Sequence, residues 1–187
     1  MPTAIASKIT AYNQISMMSQ GANIDGDGNQ YLTFFMAGEE YGVDILRVQE
    51  IRGWDNATPL PNAPSYIKGV INLRGIIVPI VDLRQCFGLQ AAEYSPVTVV
   101  IVLKLENAEH NRVIGMVVDA VSDVYSLSTE QMRAPPDLGE AVDTSFIKGL
   151  VTVNNKMVIL LQLETLLGSS HFRVPDCNAL SNIQEMH

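Results

Sequence analysis

The sequence predicts a mainly β protein made of two tandem five-stranded barrels, and three observations carry that prediction. First, residues 66–83 and 146–163 are two versions of one phrase, YIKGVINLRGIIVPIVDL and FIKGLVTVNNKMVILLQL, set 80 positions apart. Five of the 18 aligned positions are identical (Ile67/Ile147, Lys68/Lys148, Gly69/Gly149, Val78/Val158, Leu83/Leu163), where average residue usage gives about one by chance. Second, YGVDILRVQEI at 41–51 lays over IGMVVDAVSDV at 114–124, keeping Gly42/Gly115, Val48/Val121 and an acid at Glu50/Asp123. Third, residues 30–168 form a succession of short runs rich in Val, Ile and Tyr, each bounded by Gly, Pro, Asn or Ser.

In chain order, the first half offers strands at Tyr31–Met36, Tyr41–Asp44, Val48–Arg52, Ile67–Arg74 and Ile76–Val81. The second offers Val97–Leu105, Arg112–Val118, Ser122–Leu127, Ile147–Val153 and Met157–Leu161. Asp82–Phe87 and Leu163–Leu167 read as short helical turns that close each half ahead of Gly88 and Gly168. The earlier repeat has an offset of 73, so the second half carries seven additional residues between Val124 and Phe146, expected in the loop through Pro135 and Pro136. Five strands in so short a span suit a small closed barrel, which leaves no sheet edge exposed. A unit of that size buries only about 60% of its unfolded surface, so the halves are expected to pack together, with a groove at their junction. The expected organisation is a mobile lead at 1–29 with room for a turn or two of helix at Ile9–Met18, barrels at about 30–90 and 97–168, and a polar tail at 169–187.

Composition narrows the function. A chain of 187 residues that is 47% apolar and 17% charged belongs to a folded protein. Its 20 acidic against 12 basic residues give a net charge of -8, which disfavours nucleic acid as a partner. No apolar run approaches the ~20 residues that span a bilayer, so no membrane insertion is expected and the cytoplasm is the expected location. Cys86 and Cys177 read as reduced thiols rather than a disulfide framework.

Differences between the repeats separate what the fold needs from what something else needs. The hairpin between the last two strands carries Asn154-Asn155 in the second half, suited to the positive φ of a two-residue turn, but Arg74-Gly75 in the first. Arg74 is open to two readings, a solvated turn residue or one chosen for its charge and planar donors. Glu50 is open to two as well: an outward-facing strand residue, since Asp123 repeats the acid, or a partner that orients Arg74 at the rim of the groove.

Catalytic constellations find no support. His110 lies in a polar loop, and His171 and His187 lie in the tail. There is no GxSxG elbow or glycine-rich phosphate loop. DGDGN at 25–29 fails as a calcium loop because Gln30 stands where glycine is needed and Met36 where a bidentate Glu is needed. Neither Asp143-Thr144-Ser145, without a partner Asp, nor Asn56-Ala57-Thr58, without a secretory context, gains a function. No cofactor, no metal and no enzyme activity are expected.

Four ungapped blocks, EEYGVDILRVQEIRG at 39–53, YIKGVINLRGIIVPIVDLR at 66–84, VTVVIVL at 97–103 and IGMVVDAVSDVYSLSTEQMR at 114–133, closely resemble the CheW-like chemotaxis coupling proteins. The likeness runs from about Gln30 to Gly168. It implies two SH3-like barrels and an adaptor role, joining methyl-accepting chemotaxis receptors to the CheA histidine kinase. It further implies a receptor-binding groove with an apolar wall at Val48, Ile51, Val99, Val100, Gly115 and Val124, flanked by Lys68 and Gly69, with Glu50 and Arg74 as an ion pair. Arg133 and Leu138 match a contact to the kinase's regulatory domain, and rings that include further copies of the chain follow from such pairing. The resemblance thus places the protein in the cytoplasm at receptor arrays on the inner membrane. Two alternatives stand beside it: an auxiliary member that competes for receptors without activating kinase, and a small-ligand-binding or enzymatic barrel that uses the groove.

Overall fold

The computed structural model describes residues 28–106, 111–140 and 143–168. The expected mobile lead, the expected helical turns at Ile9–Met18, the tail, Cys177 and all three histidines fall outside those residues, except that Asn29 already belongs to the first strand.

The strands are β1 (Asn29–Met36), β2 (Glu39–Asp44), β3 (Val48–Gly53), β4 (Ile67–Leu73), β5 (Ile76–Asp82), β6 (Val99–Glu106), β7 (Asn111–Val118), β8 (Ala120–Leu127), β9 (Ile147–Val153) and β10 (Lys156–Leu161). Two short helices follow β5 and β10, α1 (Leu83–Cys86) and α2 (Leu163–Gly168). Every expected strand and both helical turns are present, with ends displaced by no more than two residues. The 3-10 turns at Ile45–Arg47 and Thr129–Gln131 were not expected from the sequence. Asp44 starts the first by accepting the Leu46 N–H at 2.9 Å. The second carries a capping box in which the Ser128 N–H donates to Gln131 Oε1 at 2.9 Å.

The strands assemble into two five-stranded sheets ordered β8-β1-β2-β10-β9 and β3-β6-β7-β5-β4. This corrects the expected division into barrels at 30–90 and 97–168. Each half sends its first hairpin into the sheet formed by the last three strands of the other half. β2 lies parallel to β10, and β7 parallel to β5. The repeat is real, since β1 to β5 match β6 to β10 one for one, but the partners are exchanged. A hydrophobic pattern specifies which face of a strand is buried, not which copy of an equivalent neighbour it joins. The repeat alone therefore left the exchange undecided.

Each sheet is closed by the segment that leaves its first edge strand. After β3, Thr58 exchanges two backbone hydrogen bonds of 2.9 Å with Val70 of β4, the opposite edge. After β8, Arg133 does the same with Leu150 of β9 at 2.9 and 2.8 Å. These matching bridges make both sheets barrels. Gly69 and Gly149 sit where the closing segments cross. A Cβ on Gly69, whose φ is +136, would stand 2.2 Å from the Thr58 oxygen, and one on Gly149 would stand 3.4 Å from that of Arg133. The repeated glycine is thereby explained by closure.

Three apolar clusters form among the described residues. One lies between the barrels and joins Leu32, Phe34 and Leu161 of one sheet to Ile51, Ile101 and Met116 of the other. The second fills the β3–β7 barrel with Leu73, Val78, Ile80, Val100, Val102 and Val117. The third fills the other barrel with Tyr31, Leu127, Val151, Val158 and Leu160. Strand β6 reads as an unbroken apolar run because it is buried on both faces, with Val99, Ile101 and Leu103 toward the shared core and Val100 and Val102 inward.

Candidate functional site

Glu50 sits at a β-bulge. The register of β3 on β6 passes from Val48↔Leu103 to Glu50↔Val102, which leaves one extra residue on β3. A bulge bends the strand and re-aims its side chains. Only 14% of the Glu50 side chain is exposed, and its Oε2 accepts from Arg74 Nη2 at 2.9 Å. Arg52 Nε lies 3.9 Å from the other carboxylate oxygen. Arg74 occupies the β4–β5 turn, so the pair spans the two edges of its barrel and adds a side-chain link to the backbone bridge.

The turn itself shows what Arg74 costs. Arg74 and Gly75 have φ of 51 and 88, and Asn154 and Asn155 have 49 and 63, so both hairpins use two consecutive left-handed residues. Asparagine tolerates that conformation and arginine has no comparable local compensation. Glu50's counterpart Asp123 is exposed and bonds its own strand, its Oδ1 accepting the Val124 N–H at 2.8 Å. The ion pair thus occurs in only one of the two otherwise matching barrels.

The remaining expected site residues divide by burial. Val48, Ile51, Val99 and Val100 are 4, 2, 1 and 4% exposed and belong to the apolar clusters. Gly115 is packed so closely that a Cβ would stand 2.4 Å from Ile80 Cδ1, and its repeat partner Gly42 meets Leu160 in the same way at 2.8 Å. Gly69 is buried at the barrel closure. Val48, Ile51, Val99, Val100 and Gly115, expected in the apolar wall, and Gly69, expected beside it, are interior residues whose contacts set the backbone beneath the surface. Lys68 and Val124 are half-buried, while Arg133 and Leu138 are exposed on the loop after the second 3-10 turn. The seven additional residues lie around that loop, in the stretch containing Pro135 and Pro136.

Several features were not anticipated from the sequence. A cavity of about 220 Å³ opens on the β3–β7 barrel, lined by Arg52, Trp54, Asn56, Ile71, Asn72 and Val100 among others. It belongs to one barrel, not to the junction of the two. Arg84 of α1 makes two bonds to Asp119, Nε to Oδ1 at 2.9 Å and Nη2 to Oδ2 at 2.7 Å, and Asp119 Oδ2 also accepts the Ala37 N–H at 2.8 Å. Hydrogen bonding from Arg84 foremost holds the Asp119 carboxyl below its ordinary range. Arg47 Nη2 meets Glu164 Oε1 of α2 at 2.7 Å. Burial, with a smaller contribution from Asp82, pushes the Cys86 thiol up to about 12. It remains a protonated core residue at neutral pH. Among the described residues no group of three or more His, Cys, Asp or Glu is placed to hold a metal ion, and no helix is long and apolar enough to cross a membrane.

Comparison with known proteins agrees with this architecture. Residues 30–171 match the family model of the CheW-like domain. The chain is 47% identical over 155 residues to the chemotaxis protein CheW of Klebsiella aerogenes, covering 83% of this chain and 91% of that protein. It is 37% identical over 153 residues to the chemotaxis protein CheW of Rhizobium meliloti, covering 82% and 96%. The crystal structure of the scaffolding protein TtCheW from Thermoanaerobacter tengcongensis superposes with a TM-score of 0.69 at 29% identity, over 80% of this chain and 94% of that one. Fold and matches together define a scaffold protein of chemotaxis signalling. The chain belongs to the CheW-like domain family.

Proposed function

We propose that the chain couples the cytoplasmic tips of methyl-accepting chemotaxis receptors to a CheA-type histidine kinase, and that it does so as a scaffold, catalysing nothing itself. The observation that carries this reading is the Glu50–Arg74 pair. The turn does not need an arginine, the left-handed backbone disfavours one, and the sibling hairpin manages without one. Arg74 is nonetheless there, anchored by a mostly buried carboxylate with 74% of its own side chain open to solvent. Such a guanidinium still has donors to offer a carboxylate or carbonyl of a partner.

A helical receptor tip laid against this surface meets Glu50 and Arg74, with Lys68 and Val124 completing the contact. Val48, Ile51, Val99, Val100, Gly69 and Gly115 act from beneath by fixing the backbone. Arg133 and Leu138 form a second surface for the kinase's regulatory domain. Repetition of such contacts, further copies of the chain included, closes rings and recruits the protein from the cytoplasm to arrays at the inner membrane.

The test is reconstitution of the full chain with receptor and kinase fragments, reading kinase autophosphorylation. The wild-type chain raises the rate, and Arg74→Ala removes most of the increase while the fold persists. No stimulation by the wild type overturns the coupling role. Receptor binding without stimulation makes the protein an auxiliary member instead.

A further inference from the structure

We infer that Asn72 is a positioning residue for Arg74, fixing the first hairpin turn so that the guanidinium reaches Glu50. The inference rests on the coupling role proposed above only for what Arg74 does once it is placed.

Asn72 Oδ1 accepts the Gly75 N–H at 2.8 Å. That bond runs from β4 across Arg74 to the second turn residue, and so encloses the one non-glycine residue of this turn that holds a left-handed backbone, φ 51. Arginine has no short polar side chain with which to stabilise such a conformation locally, whereas asparagine does. In the second hairpin the asparagines stand within the turn, at Asn154 and Asn155, and Thr152 occupies the position that matches Asn72. In the first hairpin the turn positions go to Arg74 and Gly75, and the amide stands two residues upstream of the arginine.

The side-chain geometry requires such a device. Arg74 reaches Glu50 through one hydrogen bond of 2.9 Å from a side chain that is otherwise mostly in solvent. A long exposed side chain keeps one rotamer only if its Cα is fixed, because surface ion pairs return little for the entropy of ordering them. Glu50 is already fixed by its burial and its bulge, so the position of the turn is the remaining variable. Asn72 controls it.

The experiment compares Asn72→Ala, which removes the acceptor, with Asn72→Asp, which keeps one, in the full-length chain. Asn72→Ala is expected to speed Gly75 amide hydrogen exchange by about tenfold or more and to weaken binding of a receptor-tip fragment by about three- to tenfold. Asn72→Asp stays near wild type in both. In an Arg74→Ala background, Asn72→Ala is expected to weaken binding no further, which a general loss of structure would not reproduce. Unchanged Gly75 exchange, or an equal loss of binding with and without Arg74, overturns the inference. If Arg74→Ala alone leaves tip binding intact, the receptor reading fails, and the inference is decided by Gly75 exchange and by whether Asn72→Ala abolishes the stability coupling between Glu50 and Arg74.

Discussion

Arg84 grips Asp119 with two nitrogens and so ties the helix closing the first half of the chain to the point where the second half passes from one barrel into the other. The other crossover, between β2 and β3, has the same device with the charges reversed: Arg47 stands on the crossover and Glu164 on the helix. Arg84 and Glu164 are equivalent positions of the 80-residue repeat. Opposite signs at equivalent places oppose the wrong pairing, since Arg84 would meet Arg47 and Glu164 would meet Asp119.

The Asp119 clamp gives the protein a defined acid sensitivity. Its folded carboxyl lies below the ordinary value of about 3.9, so the stability it contributes is present above that value and is lost as pH falls through the folded one. A third of the Asp119 side chain is exposed, and screening limits the contribution to about 1 kcal/mol. Urea unfolding at stepped pH is expected to show a smaller loss between about pH 5 and 3 for Asp119→Asn than for wild type. Parallel curves would remove the pair from the stability account.

The two closing bridges respond unequally to substitution. Gly69→Ala places a methyl on the Thr58 carbonyl in a backbone conformation that disfavours any side chain, and is expected to cost about 3 kcal/mol or more. Gly149→Ala meets the Arg133 oxygen at 3.4 Å and is expected to cost about 1 kcal/mol. Denaturant midpoints measured side by side decide this, and equal losses would contradict the closure geometry.

Arg74 can be replaced by the residue its sibling hairpin uses. Arg74→Asn is expected to be more stable than Arg74→Ala by about 0.5–1 kcal/mol, because asparagine accepts left-handed φ and alanine does not. Both variants lose the donors offered to a partner. Thermal melts beside receptor and kinase co-assembly assays separate the two effects, and retained assembly in both would shift the contact elsewhere.

Leu138 is 55% exposed. Leu138→Glu is expected to change stability by no more than about 0.5 kcal/mol while weakening capture of the kinase regulatory domain. Unchanged capture would remove this loop from the kinase-facing surface.

Much of the fold was legible because strand period, turn residues and repeat offsets are local properties. Arg74 could be singled out as a mismatch between copies and Glu50 as its candidate partner, and the two side chains meet at 2.9 Å. The exchange of hairpins was not legible, because Val78 and Val158, or Gly42 and Gly115, look alike whichever barrel receives them. The depth of Val99 and Val100 was not legible because β6, covered on both faces, leaves no polar alternation to mark a surface. The Arg84–Asp119 and Arg47–Glu164 clamps left a trace in the mismatch at 84 and 164, but their partners come from the other offset and only the folded crossovers bring them together.

The exchanged hairpins also set a timetable. Of the described strands, a chain emerging from the ribosome presents β1 and β2 before the others, yet their remaining sheet neighbours are β8 and β10, and β10 is made after all of them. The β3–β7 barrel has all its strands once Val118 has appeared, whereas the other keeps its opening hairpin waiting for more than a hundred residues of synthesis. Until then Phe34, Met36 and Val43 have only part of the core they will occupy. The first two described strands to be made are therefore among the last to be secured, which leaves them open to misassembly in the nascent chain.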